Sequence, residues 1–204
     1  MAVQIAKPPT VYINLGTHEI YEEADARDLV SVLKAPLDAA KKNGQELWVL
    51  WKLKKRGEYS GEGFSAVLKF IGSEWEENVR ISNWLEAEPM IFLESGNIVC
   101  SINHKGANSY FEAISAGVPQ VVLSVWFDTH DFATRVEYLV IGKRGSKNHA
   151  PKRAAKGLAP ILKQAVLGKR AESFGKKAAD LADACKAEGG GRVIAVKAIL
   201  KELK

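Results

Sequence analysis

The 204-residue chain sets 29 Lys and Arg against 24 Asp and Glu, a net charge of +5, with 47% apolar and 26% charged residues. This composition excludes disordered and collagen-like chains and suffices for one domain with a buried core. With no apolar run near the roughly 20 residues of a membrane helix, no signal-peptide pattern, and Cys100 and Cys185 outside any metal-ligand spacing, a cytoplasmic chain without disulfides is expected.

Residues 1–9 read as a tail ending in the stiff Lys7-Pro8-Pro9, and 10–204 as one domain. Val11–Leu15 predicts a first strand ending at Gly16-Thr17, and the spacing of Leu29, Val30, Leu33 and Leu37 predicts a helix over 26–42, stopped at Asn43-Gly44. The nearly continuous apolar run 46–53 predicts a strand covered on both faces. Residues 54–72 read as a loop with a short helix. Further strands are expected at 79–84, 97–103 and 120–125, with helices at 109–116 and 129–141. The remainder predicts helices near 151–167, 171–187 and 192–203, separated by Gly168 and Gly189-Gly190-Gly191. Short strands alternating with helices imply βαβ units: an α/β fold, a parallel sheet with helices on both faces. From Ile141 onward there are 16 basic and 5 acidic residues, net +11, leaving −6 on the first 140. Such a tail reads either as the solvated face of helices or as a surface for a polyanion.

Ligands of such folds sit at the carboxyl ends of strands, near helix N-termini. Four strand ends carry chemistry there. Gly16-Thr17-His18 offers a close-approaching backbone and a hydroxyl, and His18 could face the same crevice. Trp84 offers a flat face for a base, or caps the sheet as a core residue. The segment His104-Lys105-Gly106-Ala107-Asn108-Ser109, followed by Glu112, reads as an anion nest with a carboxylate placed for ribose hydroxyls. Equally, Asn108 or Ser109 reads as an ordinary helix N-cap. Asp128 and Thr129 suit sugar hydroxyls, or again a helix cap.

The run from Val79 to Gly142 resembles the donor-binding signature of UDP-dependent glycosyltransferases. The likeness is to the carboxyl-terminal half of the two-domain inverting enzymes that include UDP-glucosyl- and glucuronosyltransferases. It rests on Trp84, on His104, Gly106, Asn108, Ser109 and Glu112, on Gly117-Val118-Pro119, and on Asp128 and Ala133; Val49–Lys52 and Leu15-Gly16-Thr17 are similar to that family's second strand and first loop. The resemblance implies a Rossmann-like half of a GT-B fold. It also implies that Trp84 stacks on uracil, with main-chain atoms after it, Ala87 among the binding residues, reading the base. Glu112 would hold the ribose, His104, Asn108, Ser109 and Gly16-Thr17 the diphosphate, and Asp128 with Thr129 the sugar. No metal or cofactor is implied; the donor would be a UDP-sugar, with glucose expected.

Three departures matter, one of them a segment before Asn97 longer than the family's. Glu86 and Ala87 stand where the family has Pro-Gln, which leaves the base to main-chain contacts. Thr129 stands where the family has Gln, so a shorter hydroxyl meets the sugar. No catalytic base is recognised in this chain; the resemblance places it on an amino-terminal acceptor half, present as a missing domain or a partner subunit. The isolated chain is therefore expected to bind UDP and to transfer little sugar. The competing readings are a UDP-N-acetylglucosamine epimerase and a non-catalytic module that docks on a polyanion.

Overall fold

The computed structural model describes residues 8–104, 106–124, 127–145, 155–189 and 191–203, without the side chains of 127–129, 155 and 156. Six strands form one sheet: β1 (Thr10–Asn14), β2 (Trp48–Lys52), β3 (Val79–Ser82), β4 (Ile98–Asn103), β5 (Gln120–Val122) and β6 (Gly142–Arg144). Their order is β3-β2-β1-β4-β5-β6 and every pairing is parallel. Among the described residues eight α-helices, with a 3-10 turn at Ser73–Trp75, connect and cover them: α1 (Glu23–Lys42), α2 (Ser65–Leu68), α3 (Pro89–Leu93), α4 (Ala107–Ser115), α5 (Phe127–Tyr138), α6 (Ala155–Val166), α7 (Gly168–Ala187) and α8 (Gly191–Glu202).

Alternation along the strands explains the two covered faces. Val11 and Ile13 of β1, with Val49 and Trp51 of β2 and Cys100 and Ile102 of β4, join the core under α1 and α6. Tyr12, pointing the other way, packs with Leu93 and Val118 beside α3 and α4. Farther along that face, Val122 meets Tyr110 and Ile114 of α4, Ala133 and Val136 of α5, and Ala178 of α7. A strand buried on both faces needs apolar residues at successive positions, as β1 shows. β2, expected to be covered on both faces, buries Val49 and Trp51 but leaves Trp48, Leu50 and Lys52 only half-buried on the other face. Trp51 is fully buried, edge-on to Tyr21 at 6.1 Å between ring centroids. Truncating such a side chain costs about 3–5 kcal/mol.

The structure corrects several expected boundaries. α4 begins at Ala107 rather than 109 and α5 at Phe127 rather than 129. β3 ends at Ser82, so Trp84 stands on the loop beyond it. α3 and β6 have no counterpart among the expected elements. β6 is a three-residue Gly-Lys-Arg edge without an apolar run; Gly142 lies so close to β5 that a Cβ there would fall 1.8 Å from the Gln120 carbonyl oxygen.

The chain order reverses direction between β1 and β4, where the crossovers on either side lead away from each other. Ligand crevices form at the carboxyl end of such a switch point. Register brings Ser82, Lys52, Asn14 and Asn103 side by side along that edge.

Candidate functional site

A cavity of about 550 Å³ opens at this switch point. Gly16, Thr17, Trp84, Ala87, His104, Gly106, Asn108, Ser109 and Glu112, singled out from sequence, all line it, as does His18. The backbone puts Asp128 and Thr129 in the first turn of α5, but their side chains lie outside the described residues, as does Lys105. Tyr12, Asn14, Lys52, Leu85, Glu86 and Glu88 complete much of the wall and were not proposed from sequence. Lys52 and Asn14 had one legible signal: polar residues ending otherwise apolar strands at the ligand-facing edge of the sheet.

The first loop is shaped from within. The Asn14 Nδ2 donates to the Tyr12 hydroxyl at 3.1 Å, and its Oδ1 accepts from the Gly16 N–H at 3.1 Å. This bracket turns the chain at Gly16, whose φ of +78° favours glycine. Lys54 Nζ donates to the Thr17 carbonyl at 3.0 Å, and the Thr17 hydroxyl lies 3.4 Å from His18 Nδ1. The His104 ring packs directly on this turn: a Cβ on Gly16 would sit 2.4 Å from His104 Cε1, and one on Gly106 would sit 3.3 Å from Nε2. The imidazole is thus wedged between the loops that follow β1 and β4.

Asn108 and Ser109 do not cap α4. Gly106 occupies the cap position and no side chain makes a capping hydrogen bond, because the helix starts two residues earlier than the sequence suggested. The first helical N–H groups therefore face the cavity as an uncapped donor cluster carrying the positive end of the helix dipole. α4 is itself fixed from below: Asn103 Nδ2 donates to Gln120 Oε1 at 3.2 Å, and Gln120 Nε2 donates to the Tyr110 carbonyl at 3.3 Å, all buried.

Glu112 sits one turn further along α4. Burial first, and the neighbouring Glu88 carboxylate second, raise its pKa above 4.5. Burial pushes the Tyr12 phenol to about 12, the Asn14 hydrogen bond opposing and the Glu112 charge adding to the rise, so this hydroxyl is neutral. Across the cavity Trp84 is 62% exposed, and Lys52 Nζ stands 4.0 Å from its ring centroid. Burial, then Lys54, lowers the Lys52 pKa. Among the described residues no group of His, Cys, Asp and Glu is arranged to hold a metal ion, and no helix is long and apolar enough to cross a membrane.

The cavity is thus lined by a largely exposed aromatic ring, a carboxylate midway along α4, and the amino end of α4 with an imidazole. A base, a vicinal diol and a diphosphate present those three demands.

No protein-family model matches the chain. It is 44% identical over 145 residues to "Glycosyltransferase sdnJ" of Sordaria araneosa, covering 70% of this chain and 27% of the relative. It is 34% identical over 126 residues to "Erythritol-mannosyl-transferase 1" of Mycosarcoma maydis, covering 61% and 20%. The chain therefore spans about a quarter or less of these curated relatives. In fold it matches Os79 from O. sativa in complex with UDP, with a TM-score of 0.67 and 21% identity over 86% of this chain and 36% of that one. It also matches Phytolacca americana UGT2 complexed with UDP-2fluoro-glucose and pterostilbene, with a TM-score of 0.72 and 17% identity over 95% and 41%.

Proposed function

From the homology of this chain to UDP-glycosyltransferases, and its fold as one half of their GT-B architecture, we propose that it is the donor-binding part of an inverting glycosyltransferase. The cavity at the β1/β4 switch point takes the nucleoside diphosphate end of an activated hexose, glucose by the resemblance. The observation that carries this reading is the convergence of Trp84, Glu112 and the α4 N-terminus on one cavity.

Each group has a physical task. The Trp84 face accepts a base, an interaction worth about 1–3 kcal/mol. Glu112, once ionised, accepts from two ribose hydroxyls, at about 1.5–3 kcal/mol for each charge-assisted bond. As the glycosidic bond breaks, negative charge gathers on the leaving diphosphate. Donors already aligned at residues 107–109, with His104, stabilise that charge without reorganising. Asp128 and Thr129 orient the sugar. Deprotonation of the acceptor hydroxyl falls to an acceptor half, in the same longer chain or in a partner subunit, so residues 1–204 alone bind donor and transfer little sugar.

Titration with UDP is expected to raise the melting temperature, and the combined Trp84→Ala and Glu112→Ala changes to abolish the rise. Binding to polyanions that is tight, steeply salt-dependent and indifferent to both changes would contradict the reading and favour a docking module.

A further inference from the structure

We infer that Gln120, fully buried and not itself a lining residue of the cavity, is a positioning residue for the diphosphate: its side-chain amide sets where the first N–H groups of α4 stand. This rests on the donor-site reading above and names what holds that site in place. Three buried polar side chains, Ser101 and Asn103 of β4 and Gln120 of β5, form one hydrogen-bonded relay that ends on α4. Strand pairing sets Ser101 opposite Gln120, so Asn103 is the diagonal neighbour, within reach of a long side chain. Asn103 Nδ2 lies 3.5 Å from Ser101 Oγ and donates to Gln120 Oε1 at 3.2 Å, and Gln120 Nε2 donates in turn to the Tyr110 carbonyl at 3.3 Å. A side-chain amide both accepts and donates, so Gln120 takes a bond from the sheet at one atom and gives one to the helix at the other. Its own backbone is held, the N–H donating to the Ile141 carbonyl at 2.9 Å. Asn103 directly precedes His104, and Tyr110 directly follows Ser109. One relay therefore ties the loop that carries the imidazole to the helix turn that carries the amide donors.

Stability does not account for the relay. Buried amides cost desolvation wherever they are left unpaired, and Asn103 Oδ1 is buried with no hydrogen-bond partner among the described residues. Apolar side chains of similar shape at both positions would fill the space without that cost. What they would not supply is direction. Tyr110 and Ile114 of α4 pack with Val122, Ala133 and Val136, contacts that set how closely the helix approaches the sheet. Such contacts are non-directional and resist a shift along the helix axis only weakly. No described side chain caps the amino end of α4, so the bond to the Tyr110 carbonyl, in the first turn, is a directional tie between that turn and the sheet. Loss of the tie lets the N–H groups of residues 107–109 drift from the places a diphosphate requires, and leaves the base and ribose contacts untouched.

Titration of the full chain with UDP and with uridine, which shares the base and ribose but has no diphosphate, tests this alongside the melting temperature. In Gln120→Met, UDP is expected to bind about tenfold more weakly, the lower end of the loss of one charge-assisted hydrogen bond, while uridine binding stays within about twofold. The melting temperature of that variant is expected to move by less than about 4 °C. Gln120→Met combined with Asn103→Leu removes both amides together and is expected to show the same split between UDP and uridine, which keeps the test available if the single variant folds poorly. Uridine weakened as much as UDP would mark a general loosening of the fold and overturn the inference. UDP binding unchanged in both variants would also overturn it, since packing alone would then place α4. Failure of UDP to bind the unaltered chain would instead overturn the donor-site reading, and this inference with it.

Discussion

Glu112 shows how a single side chain links stability to binding. Its pKa in the folded chain is raised above 4.5, first by burial and then by Glu88. Below 4.5 the group is protonated in both folded and unfolded chains. As pH climbs through the raised value, ionisation is easier in the unfolded chain, so this residue takes stability away with rising pH. In the proposed donor site nucleotide binding has the opposite sign, because ribose hydroxyls would donate to the ionised carboxylate. Affinity measured against pH is therefore expected to be level near neutrality and to fall as pH drops through a value above 4.5, with Glu112→Gln weakening binding and flattening the profile. An unchanged profile in that variant would contradict the role. Gly16 makes a sharper steric case: alanine there would meet both a left-handed backbone and the His104 ring. Gly16→Ala is expected to displace the imidazole and weaken nucleoside diphosphate binding by about 10- to 100-fold, the scale of one charge-assisted hydrogen bond. Gly16 and His104 were both legible in the sequence as members of one set. Their direct contact was not, since residues 88 positions apart meet only through strand pairing.

Among the elements, legibility followed apolar patterning. β1, β2 and β4 carry strong runs and were placed within two residues or so of their observed ends. β6 has only Gly142-Lys143-Arg144 to mark it, and exists because β5 offers a free edge at which a glycine permits close approach. α3 is a five-residue helix that begins at Pro89, too short to show a period. The expected start of α4 was displaced because Asn108 and Ser109 are good capping types, yet Gly106 holds the cap position. The end of α5 carries a local conflict of another kind. Val140 takes φ +57°, a left-handed conformation costly for a branched side chain. Val140→Gly is expected to stabilise the fold by about 1 kcal/mol, seen as a rise of about 2–4 °C in melting temperature. A lower melting temperature would show that packing by Val140, 43% exposed, outweighs the backbone strain.

For the molecule as a whole, alternating strands and helices foretold a parallel sheet, and the order of the strands then located the cavity. Charge was less informative: the +11 of the last 64 residues is spread over β6 and helices α6, α7 and α8 and the segments between them. α8 buries none of its residues and exposes Val193, Ile194, Val196, Ile199 and Leu200. Removing residues 190–204 is expected to shift the melting temperature by less than about 2 °C, the scale of changes at unburied positions. A large fall would show that α8 supports the sheet.

The proposed donor site requires that one cavity at the β1/β4 switch point grip a nucleoside diphosphate. A crystal structure of the chain grown with UDP tests it most directly. The base should lie on the Trp84 face, the ribose hydroxyls within hydrogen-bond reach of Glu112, and the diphosphate at the N–H groups of residues 107–109. Nucleotide bound elsewhere, with the amino end of α4 empty, would contradict it.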